Sequence, residues 1–237
     1  EKLVMLGYKE VINFTFISKN YSYDKKELKL ENPISKEKSV MRESLIPGLI
    51  SNIAYNANRQ HKSIRLFERG KTYFKNKAKL LEPNTISGAL YGNRSSTDLV
   101  SKSYEYGIGD LKSDILSLFP NISFEVNKES IYFDANNSLR LLIDNKMIGE
   151  CGLISPDLIK DFDIKGDIFA FEIIEDNLKR EDKITFTEVS QFPAVYKDIT
   201  LITNIDNNIL NIIDEIRKDS YKYMKNIRIK DIFINKD

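Results

Sequence analysis

Apolar residues recur at helical spacing over Leu45–Ala54 and at strand spacing over Ser63–Phe74, and a short basic turn joins the two segments. Leu45, Leu49 and Ile53 fall four apart, with Ile46, Ile50 and Ala54 beside them, which predicts an amphipathic helix. Ser44 is the expected N-cap. Pro47 falls in the first turn, where its missing N–H leaves no helical bond unmade. Through SIRLFERGKTYF the spacing predicts one long strand with Arg65, Phe67, Arg69, Lys71 and Tyr73 on one face. Ile64, Leu66, Glu68 and Phe74 share the other. Glu68 is the discordant member, because a carboxylate on an apolar face is costly to bury without a partner.

The flanking segments extend the pattern. Residues 1–7 read as the end of a helix with Gly7 as its C′ residue, followed by a strand over Tyr8–Ser18. Residues 19–40 are polar, with a short strand at Leu28–Leu30, and residues 75–84 read as a charged loop ending at Pro83-Asn84. Thr85–Gly92 is a strand, and Asp110–Phe119 is a helix stopped by Pro120. Residues 138–156 form a hairpin that turns at Asp144-Asn145. It leads into a helix capped by Ser155, with Pro156 in its first turn, and then a strand over Asp167–Ile174. Near the end, residues 198–203 and 227–235 read as strands. They bracket a helix over Asn207–Asp219, capped by Asp206 and carrying Ile209, Ile212, Ile213 and Ile216 on one side.

Composition narrows the classes. With 41% hydrophobic, 30% charged and 11% aromatic residues, the chain is globular rather than disordered. A net charge of +1 gives no overall field toward nucleic acid or membrane, so RNA contact has to come from local patches. Cys151, the one cysteine, sits in the apolar run IGECGLI as a buried small hydrophobe; the chain forms no internal disulfide, which fits a reducing cytoplasm. One histidine, His61, and one cysteine do not make a Cys/His zinc site or a Cys–His catalytic pair. The chain contains no run of 18 apolar residues and no signal peptide. It opens EKLVMLGYKEV without a starting Met and reads as a piece of something longer.

Several motifs together resemble the C-terminal part of the β subunit of bacterial-type phenylalanyl-tRNA synthetase. They are Met41-Arg42, Ser44-Leu45, Pro47-Gly48-Leu49, Asn56, Asn58-Arg59 and Leu66-Phe67-Glu68 with Gly70. Gly7-Tyr8-Lys9-Glu10-Val11 resembles the helix-to-strand junction of that family, and Asn32-Pro33 matches its Asn-Pro before the helix. Downstream the resemblance continues through Thr85–Gly92, Asp110-Leu111-Lys112, Ile148-Gly149-Glu150, Pro156, Phe162-Asp163-Ile164, Phe171-Glu172 and Gln191–Ile199. The chain departs from the family pattern in having no tryptophan, Ser113 for a glycine, Ser155 for a histidine and Lys197 for an arginine. The resemblance implies an α+β fold. Residues 1–190 would form a class II synthetase-like antiparallel sheet flanked by helices. Residues 191–237 would form a truncated ferredoxin-like β-α-β, the first half of an anticodon-binding domain.

The resemblance also implies a role. Class II synthetases grip ATP with a motif 2 arginine two residues before a glutamate and with a motif 3 arginine on a helix. With Glu68 at the motif 2 glutamate, the arginine position holds Leu66, and no motif 3 is found. The chain is therefore expected to be non-catalytic and to bind no cofactor, ATP and magnesium belonging to the holoenzyme. Its expected partners are the catalytic α subunit, in an (αβ)₂ heterotetramer, and tRNA(Phe). Candidate RNA contacts are Arg59, Lys62, Arg65, Arg69 and Lys71, extended by Lys75, Lys77 and Lys79. In the tail they are Lys197, Tyr221, Tyr223 and Arg228, among Lys222, Lys225 and Lys230. A solvated strand edge is the competing reading for the lysines. Candidate interface residues are Leu3, Leu6, Tyr8, Val11 and Asn13, with the helix over Ser44–Asn58; ordinary core is the competing reading there. A stand-alone pseudo-synthetase that binds protein or RNA is the alternative function, and an active ligase with cryptic motifs a second.

Overall fold

In a computed structural model, which describes residues 1–22, 28–76, 79–94, 104–160, 162–178, 193–204, 207, 209–218, 224 and 226–233, strand alternation resolves into a mixed main sheet and two short two-stranded sheets. The strands are β1 (Lys9–Glu10), β2 (Phe16–Ile17), β3 (Val40–Met41), β4 (Ser63–Lys71), β5 (Phe74–Asn76) and β6 (Lys79–Leu81). They continue with β7 (Asn84–Gly92), β8 (Ser123–Val126), β9 (Phe133–Ile143), β10 (Lys146–Ile154) and β11 (Ile168–Ile174). The helices are α1 (Lys2–Met5), α2 (Ile46–Ala57), α3 (Ile108–Leu118), α4 (Pro156–Ile159) and α5 (Ile209–Lys218). The chain divides into two compact units, Glu1–Asp182 and Lys183–Asp237.

The main sheet of the first unit has seven strands in the order β1-β4-β7-β11-β10-β9-β8. Only β1 and β4 run parallel; the remaining neighbours are antiparallel. Helices cover both faces. Leu3 of α1 and Leu111 and Ile115 of α3 pack on Phe67, Leu90, Phe169, Phe171 and Ile173. Ile46, Leu49, Ile50 and Ile53 of α2, with Leu158 of α4, pack on Ile64, Leu66, Ala89, Ile168 and Ala170. The period of two on β4 and β11 thus feeds two separate cores. Full burial of a side chain such as Phe171 or Ile53 contributes about 2 kcal/mol each.

Local signals are realised where one segment decides its own geometry. Gly7 lies just past α1 with φ +87°, a conformation that favours glycine. Asp144 and Asn145 take φ of 50° and 60°, as a two-residue hairpin turn requires. At the start of α3, Asp110 Oδ2 accepts from Gly107 N at 3.0 Å, and the helix begins two residues before the expected Asp110.

Four expectations are corrected. The strand expected to reach Phe74 ends at Lys71, and β5 pairs instead with β6 in a separate hairpin. The expected loop over 75–84 therefore contains strand. The strand expected over Tyr8–Ser18 is two short strands, β1 and β2, because the chain leaves β4 and then pairs with β3. Leu28–Leu30 contributes a single bridge, Lys29 to Val40.

In the second unit, α5 falls within the expected helix, with Ile209, Ile212, Ile213 and Ile216 half-buried. Asp206 and the boundary at 190/191 lie outside the described residues. Residues 193–204 and 226–233 carry no strand. The strands expected over 198–203 and 227–235 are thus corrected for their described residues; residues 234 and 235 lie outside the described residues. Lys230 and Asp198 link those segments through an exposed ion pair at 2.8 Å.

Candidate functional site

Glu68 lies on the α2 face of β4 with 2% of its surface exposed, so it needs a counter-charge. Arg42, just after β3, supplies it, with Nη1 2.5 Å from Glu68 Oε1. Arg42 Nε also donates to Lys71 O at 3.0 Å. The guanidinium passes over Gly70, where a Cβ would collide with Nη2. Asn13 completes the shell. Its Nδ2 donates to Glu68 Oε2 at 2.7 Å and its backbone N to Oε1 at 3.2 Å. Asn52 of α2 braces it, donating to Asn13 Oδ1 at 2.7 Å and to Gly48 O at 2.9 Å. A Cβ on Gly48 would press on Asn13 Nδ2 at 2.9 Å, so glycine lets the asparagine approach α2. The expected motif 2 arginine position, Leu66, is buried in the α2 core.

A second network sits on the α3 face. Arg65 pairs with Asp114 of α3, and the Tyr8 hydroxyl donates to the same carboxylate at 2.8 Å. The guanidinium lies 4.7 Å from the Tyr8 ring centre and 5.5 Å from that of Tyr106. Burial, then the Asp114 charge, raises the Tyr8 hydroxyl well above its ordinary titration range. Arg65 Nε is buried with no hydrogen-bond partner among the described residues.

The third network caps α2 from the sheet. Glu172 Oε2 accepts from Leu45 N at 2.8 Å and from Ser44 Oγ at 3.0 Å, and Ser44 Oγ accepts from Ile46 N at 3.0 Å. The expected N-cap, Ser44, stands one residue before the cap, Leu45, and a carboxylate arrives from β11. Burial pushes the Glu172 carboxyl up to about 7, opposed by the bonds from Leu45 and Ser44 and assisted by nearby Glu150.

Of the sequence-predicted RNA contacts, most of those described in the first unit are engaged by neighbouring groups. Arg59 is exposed but committed to Tyr55, donating to its carbonyl at 2.9 Å with the guanidinium 3.4 Å over the ring. Arg65 is spent on Asp114, Arg69 Nε donates to both carboxylate oxygens of Glu175 at 2.9 and 2.8 Å, and Lys71 meets Glu82 at 3.3 Å. The acids come from α3 for Arg65, from the segment after β11 for Arg69 and from the turn before β7 for Lys71. Lys62, Lys75 and Lys79 are exposed, as are Lys197 and Arg228 in the second unit. Lys77, Tyr221, Lys222, Tyr223 and Lys225 lie outside the described residues.

Of the expected interface residues, Leu3 and Tyr8 are buried within the α3-side core, with Leu6 packed against it. Val11 packs on the α2-side core, and Asn13 is held by Glu68. The side chains left outside are Val4, Met5, Ile12 and Phe14, with Ile12 93% and Phe14 68% exposed beside the edge strand β1. Sequence reasoning missed Arg42, Asn52, Asp114 and Glu172 as network members. An acid inside an apolar strand run was the available signal at Glu172, as it was at Glu68. Among the described residues no three His, Cys, Asp or Glu side chains converge as a metal site requires.

The mixed sheet with its flanking helices is similar in fold to a class II aminoacyl-tRNA synthetase. A pyrrolysyl tRNA synthetase from Desulfitobacterium hafniense shares the fold with a TM-score of 0.54 at 14% identity, covering 73% of this chain and 62% of that one. The model of the phenylalanyl tRNA synthetase beta chain CLM domain matches residues 1–174, and the chain belongs to that family. Phenylalanine–tRNA ligase beta subunits from Wigglesworthia glossinidia brevipalpis and Francisella tularensis are 34% and 31% identical over 245 residues. Those alignments cover 98% and 100% of this chain but only 30% and 31% of the relatives, so the chain spans about a third of their length.

Proposed function

We propose that the chain is a non-catalytic scaffold of phenylalanine–tRNA ligase, which docks the catalytic α subunit and contributes to tRNA binding in the ATP-dependent charging of tRNA(Phe). The observation that carries this reading is the Arg42–Glu68 pair. A nucleotide site needs a guanidinium free for phosphate. Here the arginine position is an apolar Leu66, and the Arg42 guanidinium beside Glu68 is locked onto that buried carboxylate. ATP and magnesium then belong to the α subunit. Docking is assigned to the edge beside β1, where Val4, Met5, Ile12 and Phe14 present apolar surface. An exposed apolar edge next to unpaired strand groups is unfavourable unless a partner covers it. We assign the second unit to the start of a ferredoxin-like anticodon-binding module, with Lys197 and Arg228 as its exposed cations. No described helix is long and apolar enough to cross a membrane, and the proposed site of action is the cytoplasm.

The experiment mixes the purified chain with the α subunit, tRNA(Phe), phenylalanine and ATP. Co-elution with the α subunit, and no ATP–pyrophosphate exchange by the chain alone, are expected. Exchange by the chain alone refutes the non-catalytic assignment. Absence of association refutes docking and favours a stand-alone binding module.

A further inference from the structure

We propose that Asn13, held by Glu68, is a positioning residue that shapes the docking edge; the inference rests on the docking role assigned above. The chain follows β4 only through Val11, whose N–H donates to Phe67 O at 2.9 Å. At Asn13 the backbone N–H turns to a side chain, Glu68 Oε1 at 3.2 Å, and a carboxylate takes the place of the next rung of the ladder. Regular pairing resumes at Phe16, on a different partner, Met41. Between these points Asn13 faces inward, tied to Glu68 at 2.7 Å and to Asn52 at 2.7 Å. Its neighbours Ile12 and Phe14 face outward, with Lys38 Nζ 3.4 Å over the Phe14 ring.

The physical consequence is a fixed register. Strand side chains alternate, so a slip of one residue would turn Ile12 and Phe14 onto a buried ion pair and Asn13 into solvent. Three hydrogen bonds on one asparagine exclude that slip. Arg42 aims the Glu68 carboxylate, and an ion-paired carboxylate is the stronger kind of acceptor. Glu68 thus governs the presentation of two side chains it does not touch. In the proposed scaffold, the glutamate matched to a nucleotide-binding motif serves assembly.

The test uses the full chain and the α subunit, with Ile12→Asp, Asn13→Ala and Asn52→Ala. Association constants, amide hydrogen exchange of residues 11–15 and thermal midpoints are measured together. Asn13→Ala leaves Glu68 paired with Arg42, so the fold is retained. Its expected result is a tenfold or greater loss of affinity, with faster exchange at residues 12–15. Asn52→Ala removes only the second strut, and a smaller loss in the same direction is expected. Ile12→Asp is expected to abolish association. Should Ile12→Asp bind as the parent does, the docking reading fails and the positioning inference falls with it. Should Ile12→Asp fail to bind while Asn13→Ala binds with unchanged affinity, docking stands and the positioning role is overturned. A lowered thermal midpoint for Asn13→Ala with unchanged affinity marks a merely structural residue and has the same consequence.

Discussion

Replacing Glu172 by Gln isolates the cost of a buried carboxyl at a helix start. Burial pushes its titration up to about 7 in the folded chain, from an ordinary value of 4.5. Between those values the folded protein holds a proton that the unfolded chain has released. Unfolding then releases that proton, so stability falls as pH rises across the window. The contribution is fully present below pH 4.5 and lost once pH has passed through 7. At 1.36 kcal/mol per pH unit, the drop is about 3 kcal/mol from this one group. Gln keeps an acceptor for Leu45 N and Ser44 Oγ but has nothing to ionise. Glu150, itself raised by burial, stays in both proteins and cancels to first order in their difference. Urea unfolding of parent and Glu172→Gln from pH 4 to 8.5 reads the effect. The stability of the parent relative to the variant should fall by about 3 kcal/mol up to pH 7, then level off. Parallel curves across the whole range would refute the assignment of a near-neutral titration to Glu172.

Arg42→Met strands the Glu68 carboxylate in the core and should cost about 3–5 kcal/mol in urea unfolding. Arg42→Met with Glu68→Leu should recover most of it, since removing both charges removes the desolvation problem. Gly70→Ala places a methyl group on the Arg42 guanidinium and should lower stability by about 2 kcal/mol, read as a lower thermal midpoint. Burial pushes the Cys151 thiol up to about 12, and the side chain is inaccessible. A thiol reagent at pH 8 should therefore leave it unmodified until urea unfolds the chain, and rapid native-state labelling would contradict its place in the core.

How much of the site was legible follows from how far its parts lie apart in sequence. The alternation in IRLFERGK placed Glu68 on the apolar face and flagged it as needing a partner. It did not indicate that the partner was Arg42, 26 residues earlier. The same alternation set Arg65 and Arg69 on a common face and suggested a basic surface. The structure spends both on acids, Asp114 at a separation of 49 residues and Glu175 at 106. Periodicity tells which side of a strand is apolar, but not what packs against the other side. With Asp114 of α3 and Glu175 after β11 within reach, the two arginines become ion pairs.

What the amino-acid order determined by itself was everything governed within one turn or one strand. The apolar stripe of α2, the positive φ at Gly7 and the turn at Asp144-Asn145 depend on neighbouring residues alone. Motif order likewise carried the family. Only the tertiary structure decided where the edge strand breaks, which carboxylate caps α2 and which apolar side chains stay outside. Each of those depends on a buried polar group finding its partner. Such a group in a poorly polarisable interior takes whichever partner the topology brings within reach, across separations as long as the 128 residues between Ser44 and Glu172.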